Sequence, residues 1–281
     1  FHALPSGIVL VKGNNTIQAA VMKTARAFGH KVASIEEEAF GLKDADIFHS
    51  LLDPRVENLC QLFLMHGDYQ AELLKQRFPS ASGRISIVGN PRVDVLRNIR
   101  WSTPTGAAGA FALRHGKFVL INTNYAAINP YDYDTLTYFT RCVGVGVLDP
   151  ENPVHMNLFH TQCVWERRNL GEMIAFIREM ARRAPAVQIV LRPHPSENPE
   201  TWRRAMVGHA SVHVVVDEDH VPWTLACSSL VHSSSTTGLE AFLLGRPAVD
   251  LCAGVSAWHD RYIAPIVNTV VGNARAAADA V

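Results

Sequence analysis

Short apolar runs alternate along the chain with longer amphipathic stretches, and that alternation predicts its elements. In the first third, Gly7 to Lys12, Lys31 to Ile35, Asp46 to His49, Leu62 to Met65 and Arg84 to Val88 read as strands. Thr16 to Phe28 reads as a helix closed by Gly29, and Tyr69 to Arg77 as another. Asp53-Pro54 has the form of a helix start, a capping carboxylate followed by proline at the first helical position. Ser102 to Gly116, rich in Gly, Ala, Thr and Pro, shows no strand and reads as a linker. A second series then begins. Its strands are Phe118 to Ile121, Val187 to Leu191, Val212 to Val216, Ser229 to Val231 and Ala248 to Leu251. Its helices are Val164 to Arg183, Trp202 to Val207, Pro222 to Cys227 and Thr237 to Leu244. Asn124 to Asn157, rich in Asn, Asp, Tyr and Pro, reads as a long insertion after the first strand of this series. Such alternation predicts an α/β chain of two doubly wound units, residues 1–105 and 106–281, each a parallel sheet covered by helices.

Composition narrows the partners more than the fold. Of 281 residues 48% are hydrophobic, enough for a real core. The 26 basic and 26 acidic side chains cancel without forming a basic stripe, which argues against nucleic acid as a partner. The five cysteines are isolated and fit reduced thiols of a cytoplasmic protein. No run of 18 apolar residues is present to span a membrane. The first strand follows Phe1 almost at once, which predicts that a natural N-terminal segment is missing.

The candidate chemistry gathers at two strand ends. Arg192-Pro193-His194-Pro195-Ser196-Glu197 follows one buried run, and Ser233-Ser234-Ser235-Thr236-Thr237-Gly238-Leu239-Glu240 follows another. Ligands of open α/β sheets bind beyond the carboxyl ends of strands, and a helix N-terminus there favours an anion. His194, between two prolines, is placed to hydrogen-bond or protonate a departing phosphate. Ser233, Ser234, Ser235 and Thr236, with Thr237 and the neighbouring backbone N–H groups, are placed to cradle it, and Arg192 to add charge. The plain alternatives are a strand-end histidine bonded to a carbonyl and a serine N-cap; the cap and the cradle are compatible. Asp217-Glu218-Asp219-His220 reads as a solvated loop, and no metal-ligand spacing stands out.

The quoted segments, with Gly89-Asn90-Pro91-Arg92-Val93-Asp94-Val95-Leu96, Val119-Leu120-Ile121-Asn122-Thr123-Asn124 and the continuation to Gly245-Arg246-Pro247, resemble bacterial surface carbohydrate biosynthesis proteins of the GT-B glycosyltransferase type. His194-Pro195 and Ser233-Ser234-Ser235-Thr236 are also similar to the HP and serine-rich motifs of bacterial sialyltransferases and Kdo transferases. Glu37-Glu38-Ala39 stands where their acidic motif belongs, with alanine in place of its glycine. The resemblance implies two Rossmann-like domains facing a central cleft, the first lacking its opening strand and helix. It implies transfer of a CMP-activated ulosonic acid to a hydroxyl of a surface glycan or glycolipid, with no metal or further cofactor. The proton acceptor would be Glu38, or else Glu37; Glu240 would hold the donor ribose, and Asn122 and Asn124 would lie at the sugar. Asparagines where some retaining relatives lead to a nucleophilic aspartate point to an inverting reaction. The implied setting is cytoplasmic, with peripheral contact to the inner membrane. The alternatives are a UDP-sugar 2-epimerase-like or CDP-alditol phosphotransferase enzyme, and a catalytically silent nucleotide-sugar-binding subunit.

Overall fold

In the computed structural model, which describes residues 1–37, 39–131, 134–144, 146–216, 219–254, 256 and 259–281, the strands form two separate sheets in which every pairing is parallel. Phe1–Asp94 with Gly144–Val147 makes one unit, and Val95–Val143 with Leu148–Val281 the other.

The first unit runs β1 (Ile8–Lys12), α1 (Thr16–Ala27), β2 (Lys31–Ile35), α2 (Ala45–Ser50), α3 (Val56–Leu59), β3 (Leu62–Met65), α4 (Asp68–Arg77) and β4 (Ile85–Ile87). Its strand order is β1-β2-β3-β4. Asn15 starts α1 by accepting from the N–H groups of Ile17 and Gln18. Gly29, at φ +81°, ends it in a conformation that favours glycine. Met22, Phe48, Phe63, Met65, Leu74 and Phe78 fill the core beside the sheet.

Residues 46–49, expected as a strand, are helical. Asp44 Oδ1 accepts from the Ile47 N–H at 3.0 Å and starts α2, whose Phe48 is the buried face of a single turn. Asp53 is also redirected. Its carboxylate accepts from the Arg55 backbone and guanidinium, 2.9 Å to Oδ1 and 2.6 Å to Oδ2, while α3 begins only at Val56.

The chain enters the second unit within α5 (Pro91–Ile99). There follow α6 (Gly106–His115), β5 (Phe118–Asn122), α7 (Thr135–Gly144), α8 (Pro153–Arg183), β6 (Gln188–Arg192), α9 (Pro199–Ala205), β7 (Val212–Val214) and α10 (Val221–Ala226). The unit finishes with β8 (Ser229–His232), α11 (Thr236–Leu243), β9 (Ala248–Leu251), α12 (Ala264–Val267), β10 (Thr269–Val271) and α13 (Ala274–Ala280). The sheet order is β10-β9-β8-β5-β6-β7, with β5 central and buried throughout.

Three expectations change here. The stretch taken for a linker holds α6, whose Ala108, Phe111 and Ala112 pack on the core; Gly109 permits this, since a Cβ there would lie 2.4 Å from the Pro104 carbonyl oxygen. The insertion 124–157 holds α7 and the first turn of α8. Asn152 caps α8 through the Val154 N–H and Pro153 occupies its first position, so the helix runs for 31 residues. Three elements, α12, β10 and α13, follow where no strand or helix was expected.

Candidate functional site

The register across the second sheet shows where its chemistry starts. Leu191, Ile121, Val231 and Val249 pair side by side as one apolar rung. The next rung is Arg192, Asn122, His232 and Asp250, polar on four adjacent strands and buried throughout. Burying four polar groups together is costly unless each is bonded, and their partners define the site.

Asp250 is the hub of one side. Its Oδ1 accepts from the Ser234 N–H at 2.8 Å, and its Oδ2 lies 3.3 Å from His259 Nε2. Burial pushes this carboxyl up, but His232, His259 and the Ser234 N–H outweigh it and leave the pKa below the usual carboxylate range. His232 Nδ1 accepts from the Ser235 N–H, and its Nε2 bonds Asn268 Oδ1. These contacts hold Ser234 at φ 45°, the one positive φ outside glycine among the described residues. The left-handed conformation costs a serine about 1 kcal/mol, and the fold sustains it at the carboxyl edge of the sheet.

The hydroxyls of the serine bend do different jobs. Ser233 Oγ bonds Tyr125 Oη at 2.7 Å and donates to the Leu251 carbonyl at 2.9 Å. Ser235 is the N-cap of α11, accepting from the Thr237 N–H and Thr237 Oγ1. Ser234 Oγ is buried without a protein partner. Thr236 and Thr237 open α11 half-buried. Asn122 is also buried, with both amide atoms unmatched, and Asn124 beyond it is half-buried. Ser234 Oγ and the Asn122 amide are thus groups at this strand edge with bonding capacity left for a ligand.

His194 sits on a turn in which its carbonyl accepts from the Glu197 N–H at 2.8 Å, with Pro195 at the second position. The Ser196 N–H donates to His194 Nδ1 at 3.1 Å, so the neutral ring carries its proton on Nε2. Partial desolvation lowers the imidazole pKa and favours that form. The exposed ring therefore presents an N–H donor held in one orientation. Arg192 lies buried just before it.

The turn is anchored by Glu197, whose role the sequence left unassigned. Its carboxylate accepts from Thr123 Oγ1 at 2.6 Å, Trp202 Nε1 at 3.0 Å and the His194 N–H at 3.1 Å. Glu240 is buried on α11 and paired with His220. Asp219 Oδ1 caps the Val221 N–H, while Asp217 and Glu218 lie outside the described residues.

In the first unit, Glu37 forms ion pairs with Arg92 Nε at 2.6 Å and Lys12 Nζ at 3.3 Å. Burial raises its pKa, but the two cations more than offset that and leave it lowered. A carboxylate so held is a weak proton acceptor. Glu36 is buried and accepts from Asn14 Nδ2 at 2.8 Å. Glu38, the preferred proton acceptor, lies outside the described residues. Asn90 Oδ1 accepts from the Arg92 N–H and its amide nitrogen meets His66 Nδ1, 3.4 Å away.

Among the described residues no group of three or more His, Cys, Asp or Glu side chains is placed to hold a metal, and no helix is long and apolar enough to cross a membrane.

The Asp250–His259 contact makes a testable pH effect. The hydrogen bond that His259 donates to Asp250, then the one it shares with Cys252, raises the His259 pKa from 6.5 to about 10. A raised cationic pKa gives stability that is complete below the unfolded value and lost as pH climbs through the folded one. His259→Gln should therefore lower the denaturation midpoint most at about pH 6 and hardly at all above about pH 10. An equal loss at both, in urea titrations, would show that the charge is not what stabilises.

No known family model and no curated protein matches the sequence. Solved structures do. A UDP-GlcNAc 2-epimerase from Methanocaldococcus jannaschii, in complex with UDP-GlcNAc and UDP, superposes with TM-score 0.57 at 15% identity, over 97% of this chain and 67% of that one. The Neisseria meningitidis UDP-GlcNAc 2-epimerase bound to UDP-GlcNAc gives 0.57 at 18%, over 97% and 66%. S. aureus MnaA with UDP gives 0.56 at 14%, over 97% of this chain but 64% of that one, so the chain spans just under two thirds of its length. At such identities the likeness is one of fold. The chain is an α/β protein of two parallel-sheet, Rossmann-like units, the GT-B-like fold of these epimerases.

Proposed function

We propose that the chain is the body of a nucleotide-sugar enzyme of the UDP-sugar 2-epimerase type. The observation that carries the reading is the carboxyl edge of the second sheet. His194 offers a fixed Nε2–H, Ser234 and Asn122 hold unmatched polar atoms, and Arg192 stands on the same rung as Asn122. Together these are donors for a sugar-linked phosphate that gains charge as its bond to the sugar breaks. Structural neighbours in complex with UDP or UDP-GlcNAc support uridine as the base. In this reading Pro195 shapes the histidine turn, Ser235, Thr236 and Thr237 orient the N-terminus of α11, and Asn124 flanks the sugar.

A second reading, transfer from a CMP-linked ulosonic acid to a glycan hydroxyl, is favoured by the His194-Pro195 and Ser233–Thr236 motifs. In the transfer reading the proton acceptor would be Glu38 or Glu37. Glu38 is the stronger candidate, because Lys12 and Arg92 already hold Glu37.

Thermal shift with UDP, UDP-GlcNAc and CMP, followed by chromatography of UDP-GlcNAc incubations, separates the readings. A rise in Tm with UDP and formation of a second UDP-sugar support the first. Stabilisation by CMP alone would replace it with the second, and no nucleotide effect would sink both.

Glu240 belongs to the same reading as the ribose ligand. Its partner His220 would then share the carboxylate with the sugar hydroxyls. Glu240→Ala should weaken UDP binding about tenfold, as loss of a hydrogen bond to a charged group does. Unchanged affinity by calorimetry would leave Glu240 as the anchor of His220.

A further inference from the structure

A cavity of about 330 Å³ opens between the N-terminal half of α8 and the segment after β9, at the lower end of the range for small-molecule sites. Its wall includes Arg168, His160, Thr161, Trp165, Val164 and Gly254, and none of its described lining residues is an Asp or Glu. Trp165 is only 4% exposed, and its indole Nε1 is buried with no acceptor among the described residues. A buried donor without a partner is uncommon, and each instance calls for an explanation.

The cavity is built rather than incidental. Asn169 Oδ1 accepts from the Ala253 N–H at 2.7 Å while its Nδ2 donates to the Trp165 carbonyl at 2.9 Å, so one buried side chain ties the two walls together. The acidic neighbour, Glu166, is turned elsewhere, accepting from the Ala127 N–H at 2.9 Å and Gln162 Nε2 at 2.7 Å. Gly254 has φ +93°, and a Cβ on it would lie 2.6 Å from Arg168 Nη1. The Arg168 guanidinium therefore lies against bare backbone, at a position that glycine fits both in φ and in space. The cavity also lies close in sequence to the serine bend's anchor, since Asp250 of β9 fixes the Ser234 N–H and Ala253 follows three residues on, just past the strand.

We propose that this cavity binds the carboxylate of a sugar acid, the ring lying against Val164 and Ala253. The proposal rests on the nucleotide-sugar reading above and specifies its substrate as an acidic sugar. The planar guanidinium fork of Arg168 matches the two oxygens of a carboxylate, and no described Asp or Glu lines the cavity to compete for it.

Ligand-observed NMR titration of the intact chain tests this with glucuronate, glucose and inorganic phosphate, and with UDP in a parallel series. Glucuronate should bind at least about tenfold more tightly than glucose, which has the same ring without the charge. Arg168→Gln should remove about the same factor, and Gly254→Ala should act likewise by displacing the guanidinium. Equal affinity for glucuronate and glucose, preference for phosphate over glucuronate, or an unchanged Arg168→Gln would each overturn the proposal. If UDP fails to bind while glucuronate does, the nucleotide reading falls and the acid pocket stands. If UDP binds and glucuronate does not, the reverse holds.

Discussion

His194→Ala is expected to lower turnover of the nucleotide sugar by about 10²–10³-fold while leaving UDP affinity within about threefold. The asymmetry follows from the bonding of the ring. The Ser196 N–H occupies Nδ1, and the lowered pKa keeps the imidazole neutral, so its contribution is one oriented Nε2–H. In the proposed reading a bound diphosphate would still have the serine bend and the N-terminus of α11, and would lose little with the ring. The departing anion gains negative charge only as the bond breaks, and an aimed donor matters most at that moment. Single-turnover rates beside calorimetric affinities make the comparison. Equal losses in both would mean that His194 binds the ground state, and an unchanged rate would remove it from the chemistry. Glu197→Gln offers a companion measurement. It leaves His194 in place but disturbs the anchor of its turn, so partial loss of rate should accompany a loss of stability.

Gly238→Ala is expected to destabilise the second unit by about 3 kcal/mol, the upper part of the usual range for overpacking. A Cβ at this position would lie 2.1 Å from His232 Nε2 and 2.3 Å from Asn268 Oδ1. Neither atom has room to retreat. His232 is fully buried and bonded at both nitrogens, and Asn268 donates to the Gly238 carbonyl while accepting from His232. Moving that pair disturbs the Ser235 N–H contact and, through Asp250, the conformation of Ser234. Loss of nucleotide binding should therefore accompany loss of stability. Gly171 provides the control. It is an exposed position in α8 where an added Cβ meets nothing within 4 Å, so Gly171→Ala should stabilise by up to about 1 kcal/mol. A small effect at Gly238 in urea denaturation would show that α11 can shift away from β8.

The α/β class was legible because buried strands and amphipathic helices leave different periods, as the runs ending at Lys12, Met65, Asn122 and His232 illustrate. Composition misled where it was allowed to overrule period. Ala and Gly made Gly106–His115 look like a linker, although Ala108, Phe111 and Ala112 share one face. Four residues from Asp46 to His49 are too few to distinguish one helical turn from a strand, and the deciding group, Asp44, lay outside the window. The last strand, Thr269–Val271, is three residues long and partly exposed, so it carries almost no pattern. In the site, His194 and the serine bend announced themselves as polar clusters closing apolar runs. Asp250, His259, Asn268 and Glu197 did not. Their importance comes from bonds to residues that folding alone brings near, and nothing in local spacing marks a carboxylate as an anchor. One signal was available and unused, namely that three buried strands end on polar residues, Asn122, Arg192 and His232, while a fourth carries Asp250 one residue before its end.

Ser234 has a consequence for how quickly the protein can respond to its ligand. Its awkward backbone is set during folding, by Asp250 and His232, before any anion arrives. Under the proposed nucleotide-sugar reading, an incoming phosphate would meet a finished receptacle, and capture should proceed in a single phase limited by encounter, without the slower rearrangement that a relaxed serine loop would impose on every visit.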